Sequence, residues 1–387
     1  MSEGRFFEAA ANGAGGGIDA DGGAGLRCTL CPHQCRIPEG GRGLCGVREN
    51  RSGVLALPYS AYITAIARDP IEKKPLYHFR PGASILSLGF AGCNLRCPFC
   101  QNWHISQIAA AAGDRNNDAG SPIPGRFLSP AEAVALAAES PGSPYPLRQI
   151  AYTYSEPLIH AEYLIDCMKL ARAQGIANVL VTNGCINEKT AAAILPFTDA
   201  ANIDLKCFSE ETYAKVLGGN LQAVLNFIRM AHNAGVHVEI TTLVIPGLND
   251  NNAELDKCAA FIAGLSKKES WSFAFEAKLR GTSALAEIPW HLSAYHPDYR
   301  WDAPPTDPAR LIQIAEQAQK TLRYVYTGNI GGGSSGRRFT DTACPHCGNV
   351  LVRRQGYSVD TGGLKAPADG EQFYRCAACG GVTEIRG

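Results

Sequence analysis

Eleven of the fifteen cysteines in this 387-residue chain fall into three tight groups, and that grouping limits its fold more than any other feature. Cys28, Cys31, Cys35 and Cys45 read C-x2-C-x3-C-x9-C, and Cys93, Cys97 and Cys100 read C-x3-C-x2-C. Cys344, Cys347, Cys376 and Cys379 form two C-x2-C knuckles held apart by a long segment. Only Cys167, Cys185, Cys207 and Cys258 stand alone. An odd cysteine count at ligand spacing, in a chain whose start has no apolar leader-like run, argues for metal binding rather than a disulfide framework. The fold must therefore build three thiol centres into ordinary secondary structure.

Lys+Arg and Asp+Glu both number 36, so the net charge gives no argument for steering toward nucleic acid or an anionic membrane. No apolar run of about 18 residues occurs, so a membrane-spanning helix is not expected. These features together lead to the expectation of a cytoplasmic protein.

Between the first and last cysteine groups, short apolar strands alternate with helices. Strands are expected at 84–90, 148–154, 177–184, 200–206, 237–247 and 271–277, and helices at 128–140, 157–175, 221–235, 252–265 and 307–322. Ser129, Pro130 and Glu132 predict a capping box at the first of these helices. Such alternation predicts an α/β fold with a parallel sheet covered by helices. A closed eightfold barrel takes about 250 residues, so six units suit a partial (β/α)6 barrel. The expected organisation is a disordered tail over 1–25, a cysteine-rich segment over 26–82 and the partial barrel over 83–304. A helical and connecting segment over 305–340 and a zinc-ribbon-like module over 341–387 complete it. The polar stretch 109–125 reads as a surface insertion. In barrels of this kind the chemistry sits at the carboxyl ends of the strands.

The central cysteines follow the first of these strands directly. Three thiolates on one loop suit three corners of a cubane [4Fe–4S] cluster, leaving one iron open. The rival reading is a three-thiolate zinc site completed by His104. The pattern in GFAGCNLRCPFCQNW, with an aromatic before the last cysteine, resembles the signature of the radical S-adenosylmethionine (SAM) superfamily. The wider sequence resembles the radical SAM member of the AmmeMemoRadiSam system, a relative of the pyruvate formate-lyase activating enzymes. That resemblance rests on CTLCPHQCRIPEGGRGLCGVREN, DPIEKKPLYHF, YTYSEPLI, VTNG, NIDLK, VIPGLND, AYHPDY, RYVYTGN, CPHCG and CAACG. It implies a cluster on Cys93, Cys97 and Cys100 that cleaves SAM to methionine and a 5′-deoxyadenosyl radical.

SAM needs partners for its ammonium, carboxylate, ribose and adenine, and the strand ends offer candidates. The resemblance implies that Phe99 supports the adenine and that Ser155 and Glu156 stand where relatives receive the methionine ammonium. Asn183 lies in VTNG, where activating enzymes often carry an aspartate at the position of Val181. Asp204 suits a ribose hydroxyl and Lys206 the SAM carboxylate, with an ion pair between them as the plain alternative. Val244 and Ile245 suit adenine packing or the core. His296 in AYHPDY resembles the family histidine after the sixth strand, with His291 as competitor. Cys185 and Cys207 read as buried thiols rather than reactive ones.

The C-terminal quartet reads as a closed structural zinc site. The quartet Cys28, Cys31, Cys35 and Cys45 is compatible with zinc or a second iron–sulfur cluster, zinc being the preferred expectation. The implied partners are a low-potential electron donor (flavodoxin or ferredoxin), AmmeMemoRadiSam proteins or a protein substrate, and neither membrane nor nucleic acid. Two further readings stay open: activation of a glycyl radical enzyme, and a zinc-ribbon binding protein with an inactive barrel.

Overall fold

Strands buried on both faces need helices on each side, and the burial pattern of this sheet has that character: Gln149–Thr153 is buried at every residue. The computed structural model describes residues 2–9, 25–108, 124–139, 147–265, 287–330, 339–368 and 371–387. Its main sheet contains β1 (Tyr62–Pro70), β2 (Ser84–Phe90), β3 (Arg126–Phe127), β4 (Gln149–Thr153) and β5 (Ala177–Thr182). It continues with β6 (Ala200–Asp204), β7 (His237–Val244), β8 (Trp290–Ala294) and β9 (Val325–Gly328). The nine strands lie in the order β9-β8-β7-β6-β5-β4-β2-β1-β3. From β2 to β9 neighbours are parallel and wound in chain order, while β1 runs antiparallel to β2 and to β3.

Helices α1 (Pro130–Glu139), α2 (Ala161–Ala173), α3 (Glu188–Ile194), α4 (Leu221–Asn233), α5 (Asn252–Leu265) and α6 (Pro308–Ala318) fill the crossovers. Their starts are written locally. Ser129 N–H donates to Glu132 Oε2 at 2.7 Å while Glu132 N–H donates to Ser129 Oγ at 3.3 Å, the expected capping box. Asn220 caps α4 through Ala223 N–H, and Asp307 caps α6 ahead of Pro308.

The expected α/β architecture is present, with three corrections. The sixth parallel strand is Trp290–Ala294; the expected strand 271–277 lies outside the described residues. WHLSA carries a histidine and a serine that hid it: His291 is buried and Ser293 half-buried on a cavity wall rather than exposed on a loop. The sheet also runs past residue 304, since β9 pairs with β8 from Trp290↔Val325 to Ser293↔Gly328. The expected disordered tail over 1–25 is wrong for its first part. Ser2–Glu3 pairs with Ala56–Leu57, Phe7–Ala9 pairs with Leu26–Cys28, and Arg5 N–H donates to buried Glu162. Those partners lie far along the chain, so local composition could not reveal them. The stretch 109–125 is described only from residue 124.

The amino ends of the strands are closed by residues 71–83. Glu239 of β7 is wholly buried and accepts from Tyr77 N–H and His78 N–H, and lies 2.9 Å from His237 and 2.6 Å from His291. The C-terminal module docks on this plug. Its Arg354 is buried, lies 4.1 Å over the Tyr77 ring, donates to Tyr77 O and meets Glu72 at 3.7 Å. Among the described residues no helix is long and apolar enough to cross a membrane.

His78 supplies a pH test of this plug. Burial pushes it down to about 3 from an ordinary 6.5. The unfolded chain therefore takes up its proton first, so the stability this group contributes is full above pH 6.5 and is lost as pH falls toward 3. His160, pushed by burial down to about 4, acts with the same sign. Denaturant titrations between neutral and mildly acidic pH should show falling stability, at up to about 1.4 kcal/mol per pH unit for each proton. His78→Gln should remove one proton's worth of that slope; an unchanged slope would contradict this account of the plug.

Candidate active site

The register of the parallel strands sets their carboxyl ends level: Thr153 opposes Gly89, Thr182 opposes Ile203, and Asp204 opposes Thr241. The cysteine loop leaves β2 over this rim. Cys97 is buried, Cys93 and Cys100 half-buried, and all three line a cavity of about 790 Å3. Leu95 N–H donates to Cys93 Sγ at 3.3 Å, and Ser106 Oγ lies 3.2 Å from Cys100 Sγ. Burial pushes the Cys93 thiol far up, and Glu156 and Cys97 push it further. Burial also raises Cys97, to about 11, against the pull of Lys206. As free thiols these groups hold their protons at neutral pH, so a bound metal centre is what would make them thiolates. Three thiols on one cavity wall, with N–H and O–H neighbours, are a donor set that fits three corners of an iron–sulfur cubane. His104, the rival fourth ligand, is exposed and lies outside the cavity wall.

Glu156 and Asn183 tie two strand ends to that loop. Glu156 is buried; its Oε1 accepts from Leu158 N–H at 2.9 Å and Thr182 Oγ1 at 2.7 Å, and its Oε2 from Asn183 N–H at 2.8 Å. A carboxylate accepts about four hydrogen bonds, so one acceptor position remains for a cation in the cavity. Burial raises Glu156 to about 7 despite these donors. Glu156 thus braces the turn after β5 and keeps one acceptor position toward the cavity. Asn183 Nδ2 donates to Asn94 Oδ1 at 3.0 Å and lies 3.6 Å from Cys93 Sγ. Ser155 Oγ donates to Phe90 O at 2.7 Å.

Further along the same carboxyl rim Lys206 Nζ pairs with Asp204 Oδ2 at 2.8 Å. Burial works against the Lys206 charge, but Asp204 and Cys97 overcome it and raise its pKa. Phe99 is buried, lines the cavity and meets Trp301 edge-on at 6.4 Å. These seven positions (the cysteines aside) are not all brought together. Phe99, Ser155, Glu156, Asn183, Asp204 and Lys206 share the cavity wall, whereas His296 is exposed and not part of it, its Nε2 lying 3.0 Å from Nε2 of Gln101, which does line the wall. The competitor His291 does line the cavity, but its Nε2 is committed to Glu239. Val244 and Ile245 are wholly buried in the core. Cys185 and Cys207 are buried thiols placed against Asn220 O and Ser209 O, away from the cavity.

Deeper in the cavity lies a charged layer that sequence reasoning missed. Lys74 Nζ donates to Asp69 Oδ2 at 2.6 Å and sits 4.5 Å over the Tyr154 ring, and Tyr154 Oη donates to the same carboxylate. Tyr154 holds a positive φ of 68°, a conformation that costs about 1–3 kcal/mol for a side chain of this size. Burial pushes Asp69 up, but bonds from Lys74, Tyr154 and Lys73 hold it well below the carboxylate range. Thr241, Ser293 and Thr327 add hydroxyls to the wall. The lysine pair in DPIEKKPLYHF was the available signal; its distance of some eighty residues from Tyr154 concealed the pairing.

At the C-terminal module Cys344 Sγ lies 3.8 Å from Cys379 Sγ and Cys347 Sγ 3.7 Å from Cys376 Sγ. Four thiolates held tetrahedrally about 2.3 Å from one zinc stand about 3.8 Å apart, so this quartet fits a zinc-ribbon-like module.

Residues 88–259 match the model of the Radical SAM superfamily. Those residues therefore form a Radical SAM superfamily domain. Over nearly its whole length the chain belongs with the uncharacterized protein MJ0808 of Methanocaldococcus jannaschii, at 36% identity over 363 residues, covering 93% of this chain and 95% of that protein. The pyruvate formate-lyase-activating enzyme of Clostridium pasteurianum is 28% identical over 183 residues, 46% of this chain and 70% of that enzyme. A solved domain of a pyruvate-formate lyase-activating enzyme from Bacteroides vulgatus matches at 22% identity and a TM-score of 0.35, over 47% of this chain and 98% of its own.

Asn183→Ala should free Asn94 and loosen the loop around Cys93. Losing a buried hydrogen-bonded partner costs about 1–3 kcal/mol, so SAM affinity should fall roughly five- to hundredfold while the fold persists. Equilibrium binding of SAM to the anaerobically reconstituted protein measures this; unaltered affinity would remove Asn183 from the site.

Proposed function

We propose that this chain cleaves SAM reductively and uses the resulting radical to abstract hydrogen from a substrate held inside the barrel. The carrying observation is that Cys93, Cys97 and Cys100 share one cavity wall with polar groups from four successive strand ends. When bound there, a [4Fe–4S] cluster would supply the electron that splits SAM into methionine and the 5′-deoxyadenosyl radical. The protein's own part is positional. Glu156 and Asn183 fix the rim on one side and give the ammonium an acceptor. Lys206, kept cationic beside Asp204, answers the carboxylate, and Phe99 offers a flat apolar face to the adenine. The cavity walls exclude bulk water from a radical that would otherwise be quenched.

Two substrate readings remain in play. A small molecule or a peptide side chain suits the polar chamber around Lys74, Tyr154 and Thr327, which favours direct modification in an AmmeMemoRadiSam setting. Similarity to the Clostridium pasteurianum activating enzyme favours hydrogen abstraction from a glycyl radical enzyme. Incubation with such an enzyme, read by EPR for a glycyl doublet, separates the two. A low-potential flavodoxin or ferredoxin fits as electron donor, and zinc as the metal of the C-terminal quartet.

Cys97→Ala should abolish 5′-deoxyadenosine production under reducing, anaerobic conditions; continued production at the wild-type rate would refute the proposed site. Metal analysis of the same variant should still find about one zinc per chain, which Cys347→Ser with Cys376→Ser should remove.

A further inference from the structure

The quartet near the amino end lies against the cysteine loop rather than apart from it. Gly92, at φ 82°, precedes Cys93, and a Cβ placed there would stand 2.5 Å from the carbonyl oxygen of Cys45. Neighbouring Cα atoms are about 3.8 Å apart, so the backbones of the two cysteine segments approach one another at Cys45 and Cys93. His33 Nε2 meets Asn94 O at 2.7 Å and Arg96 donates to Leu44 O, so the quartet's loop grips both sides of Cys93. Arg48, buried and paired with Glu162 at 2.7 Å, anchors this loop to α2.

Cys28, Cys31 and Cys45 are buried in one core and Cys35 packs against it. Each also has a backbone N–H donor: Leu30 for Cys28, His33 for Cys31, Leu44 for Cys35 and Val47 for Cys45. Spacing distinguishes this quartet from the ribbon. Among the described residues, the ribbon thiols are the group whose ligand atoms all converge within 4.8 Å. Neither the Cys28–Cys45 quartet nor the Cys93–Cys100 triad is among the groups that converge so tightly. One zinc ion draws four thiolates to about 3.8 Å, whereas a cubane places four irons and four sulfides between them and holds them further apart.

We infer that Cys28, Cys31, Cys35 and Cys45 hold a second iron–sulfur cluster, and that it passes electrons to the loop of Cys93, Cys97 and Cys100. This replaces zinc, the expectation from spacing alone. The relay role rests on the proposed SAM chemistry; the cluster site does not. Each transfer moves one electron. A low-potential donor is oxidised by one electron at the half-buried Cys35 side, the quartet's cluster is reduced and reoxidised, and the centre at Cys93 gains the electron. No bond is made or broken along the way.

The test uses the full chain, reconstituted anaerobically with iron and sulfide. The variant Cys93→Ala/Cys97→Ala/Cys100→Ala should retain about four irons per chain and, once reduced, an EPR signal that SAM leaves unchanged. Cys31→Ala/Cys45→Ala should lose about four irons, keep a SAM-sensitive signal under dithionite, and lose reduction by flavodoxin. A triad variant with no iron and one zinc beyond that of the ribbon would overturn the inference, whether or not the quartet variant folds. Absence of a SAM-sensitive signal in the quartet variant, with iron kept in the triad variant, would instead sink the proposed SAM chemistry alone.

Discussion

Parallel pairing in chain order is the constraint on which this molecule rests. Because successive strands from β2 to β9 run the same way, every carboxyl end lies on one rim and every amino end on the other. A residue that follows a strand is thereby delivered to the same opening as the residues that follow its neighbours. Cys93, Glu156, Asn183 and Asp204 come from four separate segments, yet they meet without any local sequence bringing them together. The rim is then tightened by a few hydrogen bonds, of which the chain Thr182–Glu156–Asn183–Asn94 is the most buried.

The two ends of the barrel are treated differently. The amino-end rim is filled by residues 71–83, anchored on Glu239, whose carboxylate accepts two backbone N–H groups and faces two histidines. Burying a carboxylate is costly unless its lone pairs are answered, and here they are. Arg354 of the C-terminal module then stacks on Tyr77 at the seam between this plug and β9, so the ribbon is part of the barrel wall and not a remote appendage. The carboxyl-end rim is left open over the cavity, with the amino-end cysteine segment clasping only the loop of Cys93. Arg48 and Glu162 hold that clasp: burial works against the charge of each, and their mutual hydrogen bonds outweigh it.

Much of this was legible in the chain. The helix starts at Ser129, Asn220 and Asp307 are local hydrogen-bond devices, and short-range chemistry suffices to write them. The three cysteine groups are likewise local, since ligand spacing depends on a few residues of backbone. The alternation of apolar strands with helices announced a parallel sheet, because only such a sheet buries both faces of every strand. What failed were the places where burial comes from distant partners. WHLSA was not among the expected strands and becomes one because β7 and β9 flank it, and Phe7–Ala9 reads as a tail until it finds Leu26–Cys28.

The sequence by itself determined the cysteine groupings, the α/β alternation and the superfamily, because each is carried by spacing along a short stretch of backbone. Tertiary structure alone decided that Glu156 braces a turn, that Lys74 and Tyr154 share Asp69 inside the chamber, and that Cys45 touches Gly92. Those contacts join residues tens of positions apart. Their existence depends on strand register and burial, and neither of these is written in the spacing of the residues that make them.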